Sequence, residues 1–413
     1  MNKFSKMLQA FLPGIFLIGF NIGTGSVTAM AKAGATYGMS LLWTVLLSCL
    51  VTYFMIVVYG RYTLITGETA LYAFRKHIHP ALGLFFIIAL TIAVCGSVIG
   101  VMGIIADVCY ELSKKLFPKG INAVYFATFF IVLVYAIFWK GKTQFFQKAL
   151  AVIVAIMSAS FIINFFILMP PVSDMLKGMI PNIPVVPLDQ GKGPFLVIAS
   201  MVGTTVASCI FIVRTTLVKE AGWTIKDLNI QRRDAFVAAL MMFIISATIM
   251  AASAGTLYFK GLGLSRASQM VELLGPLAGR FAVSIFVTGI VAAGLSSQFP
   301  NVLLLPWLIC DYNQSTRDMT LLRYRSMVLV ISLLGLIVPL FKVPPVAVMI
   351  ASQAFGAIIL PLTVLCIFYL GNKKSIVGDH TYSFSTNFIL ILILAFAVYM
   401  SVSGIKGIIR EVF

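Results

Sequence analysis

Uncharged apolar runs of about 20 residues recur from one end of the chain to the other, and no other feature restricts its fold as much. Each run is long enough to cross a hydrocarbon core of roughly 30 Å as a helix. A soluble helix is seldom free of charge for so long, because one of its faces meets water. Only 10% of the 413 residues are charged, against about 25% in an average soluble domain. The pattern predicts an all-α polytopic membrane protein with about 11 spans, at 9–31, 40–60, 81–110, 122–139, 149–169, 194–218, 235–257, 281–308, 326–341, 345–370 and 386–407. The lipid bilayer is the partner this implies, and no obligatory protein partner is evident.

The net charge of +17 does not indicate nucleic acid. The basic residues sit in short loops between apolar runs, as the positive-inside rule requires, rather than on one face of a polar domain. Their distribution places the N-terminus in the cytoplasm and the chain in the cell inner (plasma) membrane as a multi-pass protein. Lys3 and Lys6 precede the first run, yet no small-residue cleavage site closes it, so it reads as a retained helix. The six cysteines are scattered singly, without metal-finger or redox spacing. No phosphate loop for an ATP-driven pump is present, which favours gradient-driven transport.

Two spans are interrupted. The first contains Gly23-Thr24-Gly25-Ser26, and the sixth contains Gly203-Thr204-Thr205 followed by Ala207-Ser208-Cys209. Glycine inside a helix costs about 1 kcal/mol relative to alanine, so these stretches predict unwinding at Gly23–Ser26 and Gly203–Cys209. Backbone groups freed at that depth must be buried in protein or face a cavity. Close packing through small residues is the structural alternative. Interruptions in the first and sixth spans fit two inverted repeats with a binding site between them. The division is then 1–170 for spans one to five, 171–193 for a connecting loop, 194–370 for spans six to ten and 371–413 for the eleventh.

Several stretches resemble Nramp-type divalent-metal transporters. Ala33-Gly34-Ala35-Thr36-Tyr37-Gly38 with Leu41-Leu42-Trp43 is similar to their passage from helix 1 to helix 2. Thr66-Gly67-Glu68 resembles the loop that follows. Val202-Gly203-Thr204-Thr205-Val206 resembles the start of their helix 6 site, Ala293-Gly294-Leu295-Ser296-Ser297 their helix 8, and Ser352-Gln353 with Leu360-Pro361 their helix 10. The resemblance implies secondary transport by alternating access on a leucine-transporter-type fold, and no enzyme. The departures bear on the substrate. The family's Asp-Pro-Gly-Asn motif falls on Gly23, Thr24, Gly25 and Ser26, and its Met-Pro-His motif on Ala207, Ser208 and Cys209. Its helix 3 acidic pair falls on Val94 and Ser97, and a later helix 6 histidine on Arg214. Only the helix 10 glutamine remains, as Gln353.

The substrate-binding candidates are therefore Gly23, Thr24, Gly25, Ser26, Thr204, Ala207, Ser208, Cys209 and Gln353. Transition metals favour carboxylate, imidazole or sulfur ligands, and of these only the Cys209 thiol is left, whose structural alternative is a buried, inert cysteine. Metal binding stays open, as does weak Mn, Fe or Mg transport without carboxylates. The alternative is a small carboxylate or amino acid held at the half-helix N-termini. Ile22-Gly23-Thr24-Gly25 resembles the carboxylate-holding motif of amino-acid permeases on this fold. Lys32 and Arg214 either add positive charge along the route or anchor helix ends by snorkelling. By resemblance to sodium-coupled members of the fold, the hydroxyls of Ser296 and Ser297 form a possible sodium site, with sodium as the possible driving ion. Their structural alternative is hydroxyl-to-backbone bonding within the helix. His77, His79 and His380 all fall in predicted loops, and no nucleophile–base pair can be assembled from the spans.

Overall fold

The computed structural model describes residues 13–114, 117–139, 170–184, 193–261, 264 and 268–412, with scattered positions between 152 and 166. Twelve main helices organise them: α1 (Pro13–Asn21), α2 (Thr24–Tyr37), α3 (Leu42–Thr66), α4 (Pro80–Lys114), α5 (Ala123–Trp139), α6 (Phe195–Thr205), α7 (Ser208–Glu220), α8 (Leu228–Thr256), α9 (Ser268–Asn313), α10 (Leu322–Leu333), α11 (Pro345–Asn372) and α12 (Phe384–Val412). No strand occurs among the described residues. Eight spans among the described residues are long and apolar enough to cross a bilayer, and the bent pair α1–α2 makes a ninth. The apolar helix α5 has only 17 residues. The expected span at 149–169 lies mostly outside the described residues.

Large apolar side chains on the outer faces of the helices are exposed, among them Ile88 and Ile92 of α4, Phe129 of α5 and Leu392 of α12. In water that surface would be a liability; against lipid tails it costs nothing. Inside, α11 packs against α12, α6 and α4, while α9 lies along α4. Helix α8 packs on α2 and α3, and α2 also touches α6. Small residues permit the closest crossings. A Cβ at Gly34 would overlap the Met250 carbonyl of α8, and one at Gly203 would overlap the Gln353 carbonyl of α11.

Both interruptions are present and shorter than expected. The first span breaks only at Ile22–Gly23, where α1 and α2 meet at a bend of 52°. Thr24, Gly25 and Ser26 already belong to α2. The sixth breaks only at Val206–Ala207. One open turn satisfies each change of direction, so the neighbouring glycines serve close packing instead.

The helices also overrun the expected ends. Helix α8 begins at Leu228 rather than near 235, and α9 runs to Asn313 rather than 308. Asp234 and Asp311 thereby come to lie within helices and are buried.

Candidate functional site

A cavity of about 70 Å³ lies where the two breaks face each other. That is room for several waters or for the polar end of a small solute. Its walls come from α1 and α2 (Phe20, Asn21, Gly23, Gly25), α4 (Leu90, Val94, Ser97), α6 and α7 (Gly203, Thr204, Ala207–Ile210), α9 (Ser297, Asn301) and α11 (Ser352, Gln353, Gly356).

The breaks are held by side chains that replace lost helical hydrogen bonds. Asn21 Nδ2 donates to the Thr205 carbonyl at 2.8 Å, and Thr52 Oγ1 of α3 donates to the same oxygen at 2.8 Å. Ser26 Oγ donates to the Asn21 carbonyl at 2.8 Å and lies 2.9 Å from Thr204 Oγ1. The carbonyls stranded at the breaks are thus capped by hydroxyl and amide groups of α1, α2 and α3, as buried backbone polar groups require. Thr363 Oγ1 donates to Ser208 Oγ at 2.7 Å, which secures the start of α7 to α11.

Helices α2 and α7 both start at this cavity. Their N-caps, Gly23 and Ala207, carry no capping side chain, and the residues of their first turns line the space. Two positive dipole ends therefore converge on one small volume. Gly23 and Gly25 keep this space open: a Cβ at Gly23 would overlap the Ser297 side chain, and one at Gly25 would push the Gln353 amide aside.

Of the sequence candidates, Gly23, Gly25, Thr204, Ala207, Ser208, Cys209 and Gln353 line the cavity. Thr24 and Ser26 are wholly buried on other faces of α2. Ser297 reaches the cavity, and Ser296 does not. Both hydroxyls bond backward within α9: Ser296 Oγ to the Ala293 carbonyl at 2.9 Å, Ser297 Oγ to those of Ala293 and Gly294 at 3.2 Å. Sequence reasoning missed Asn21 and Asn301, whose amide donates to Ser97 Oγ at 3.2 Å. An amide inside an otherwise apolar run was the available signal. The remaining lining is neutral, and among the described residues no group of three or more His, Cys, Asp or Glu side chains is placed to hold a metal.

The two basic residues differ: Lys32 is anchored to the segment after α8, and Arg214 does not snorkel. Lys32 Nζ donates to the Leu264 carbonyl at 2.9 Å. Arg214 is fully buried and pairs with Asp234. For Arg214 the snorkelling expectation fails because the counter-ion, Asp234, falls just outside the span expected at 235–257 and is drawn inside by the early start of α8.

The sequence matches the model of the Nramp family, natural resistance-associated macrophage protein-like, over residues 14–406. The chain belongs to the Nramp family. It is 25% identical over 299 residues to the divalent metal cation transporter MntH of Klebsiella pneumoniae (strain 342), covering 71% of this chain and 69% of that protein. Its fold superposes on the crystal structure of the Eremococcus coleocola manganese transporter with a TM-score of 0.74 at 15% identity, covering 98% of this chain and 87% of the other. A Na+-coupled sialic acid symporter in a substrate-bound outward-open state gives a TM-score of 0.64 at 12% identity, covering 98% and 90%. The architecture of this Nramp protein is that of the leucine-transporter type, and the family is one of membrane transporters rather than enzymes.

Proposed function

We propose that this Nramp protein is a secondary transporter that moves a small solute by alternating access through the cavity between the two breaks. Its substrate differs from the divalent metal named for its relatives, and a small carboxylate or amino acid fits the site best. One observation carries this reading: two uncapped helix N-termini converge on a cavity whose side chains are all neutral. Such ends favour an anionic group and disfavour a bare dication. Asn21, Ser97, Asn301 and Gln353 would orient the rest of the solute by hydrogen bonding.

The family supports a second reading, in which Mn, Fe or Mg passes with its charge spread over hydroxyls, amides and the Cys209 thiol. Sodium is the proposed driving ion. Ser297 lines the cavity directly against Gly23, while neither Val94 nor Ser97 can carry a proton. The 1–170 and 194–370 halves are proposed as the two inverted repeats, with the N-terminus in the cytoplasm of a plasma-membrane protein.

A thermal-shift screen of the purified protein tests the substrate class, because a ligand that binds the folded state raises its melting temperature. Small carboxylates and amino acids are expected to stabilise it, more so with sodium present. Stabilisation by Mn2+ alone, with every carboxylate silent, would overturn the proposal.

A further inference from the structure

The cavity wall formed by α1 is one half of a broken helix, joined to α2 only through Ile22–Gly23. Phe20 and Asn21 at its end line the cavity. Around Phe20 the lining continues through Leu90, Ile210, Asn301 and Ile359, all buried. What fixes α1 therefore decides whether this wall stays shut.

Core packing and the Asn21 bond to the Thr205 carbonyl hold its cavity end, and a carboxylate holds its start. Asp234 Oδ1 of α8 accepts the Gly14 backbone N–H at 2.9 Å. Its other oxygen is held by Arg214 of α7, and the two side chains are 1% and 0% exposed. Arg214 also donates to the Gln231 carbonyl at 3.4 Å, and Gln231 Nε2 donates to the Ile56 carbonyl of α3 at 3.0 Å. The carboxylate is thus anchored to a frame of α3, α7 and α8, and α1 hangs from it by one backbone hydrogen bond. Glycine is needed at position 14, because a Cβ there would overlap Asp234 Oδ1. The next residue of α7 extends the same frame: Thr215 Oγ1 accepts the Ala70 N–H at 2.9 Å from the segment after α3.

We propose that Arg214 and Asp234 are a positioning pair whose hold on the Gly14 N–H keeps the α1 wall closed over the cavity, so that releasing this bond opens the site on that side. A pair whose sole role was stability would need no link to the half-helix. A charge in the membrane interior is expensive and ordinarily tied to function, and a buried pair can often be replaced by apolar residues without loss of stability. The pair stays together when α1 leaves, so opening strands no unpaired charge.

Cys209 reports on the opening whatever the substrate, because its thiol lines the cavity. The experiment measures alkylation of each cysteine by N-ethylmaleimide in the purified full-length protein, by peptide mass spectrometry. Two variants are compared with the wild type. R214M/D234L removes both charges together, and G14A leaves both charges in place while crowding Asp234. Cys209 is expected to react at least tenfold faster in both, with buried Cys49 and Cys366 unchanged. If R214M/D234L does not fold, G14A decides alone. An unchanged Cys209 rate in a folded variant would overturn the proposal, as would an increase shared equally by Cys49 and Cys366, which would mark general loosening.

Discussion

At Gly203 the backbones of α6 and α11 meet with no space for a methyl group. A Cβ would overlap the Gln353 carbonyl and stand 3.1 Å from the Ala357 nitrogen. Backbone cannot rotate aside as a side chain can, so α11 would have to move, and Gln353 with it. G203A is expected to cost about 1–3 kcal/mol through overpacking, and to lower uptake by more than the stability loss explains; a thermal melt and an uptake assay on the same preparation check both parts. The glycines of both breaks are legible in the sequence, because clustered glycine at mid-membrane depth marks either a break or a close crossing. Which neighbours face the cavity is not legible. Thr24 and Ser26 lie on other faces of α2, and that depends on where the helix restarts, a matter of a single residue. Asp234 is hidden for a different reason. Charge ordinarily marks a helix end in a membrane protein, and that rule fails where an arginine pairs with the carboxylate inside the bundle.

Among the elements, the segment after α3 shows how a loop can be tied by charge. Glu68 accepts from Lys76 Nζ at 2.6 Å, lies 2.7 Å from His77 Nε2, and accepts from Tyr62 Oη at 3.3 Å. Partial burial pushes its carboxyl upward, but hydrogen bonds and charge from Lys76 and His77 outweigh this and hold it below the ordinary value of 4.5. A carboxyl depressed in the folded state stabilises the fold fully above its unfolded value and loses that contribution as pH falls through the folded value. E68Q should therefore lower the melting temperature at neutral pH and have no effect below the folded-state value; melts from pH 7 to pH 3 check this, and a gap that stays constant would contradict it. Glu68 and its partners lie within ten residues, so the pairing is within reach of sequence, but the π-helical turn Phe74–Ile78 that aims His77 at Glu68 is not. The breaks in the first and sixth spans are legible from glycine. Their shortness is not, because side-chain caps such as Asn21 and Ser26 depend on tertiary contacts.

For the molecule as a whole, the uncharged runs specify an all-α membrane fold, and short ordered motifs specify the family. What they leave open is the substrate, because family motifs report common descent while cavity chemistry reports what binds. On the proposed reading the two diverge in this chain: the fold is that of a metal transporter's family, and the cavity between the breaks offers neutral donors and two helix N-termini. Parallel uptake into proteoliposomes of Mn2+ and of a labelled panel of small carboxylates and amino acids, under an inward sodium gradient, tests this divergence most directly. Saturable uptake of at least one carboxylate-bearing solute is expected, reduced at least tenfold when the sodium gradient is removed, with Mn2+ uptake at the level of empty vesicles. Robust, saturable Mn2+ uptake with no carboxylate transported would contradict it.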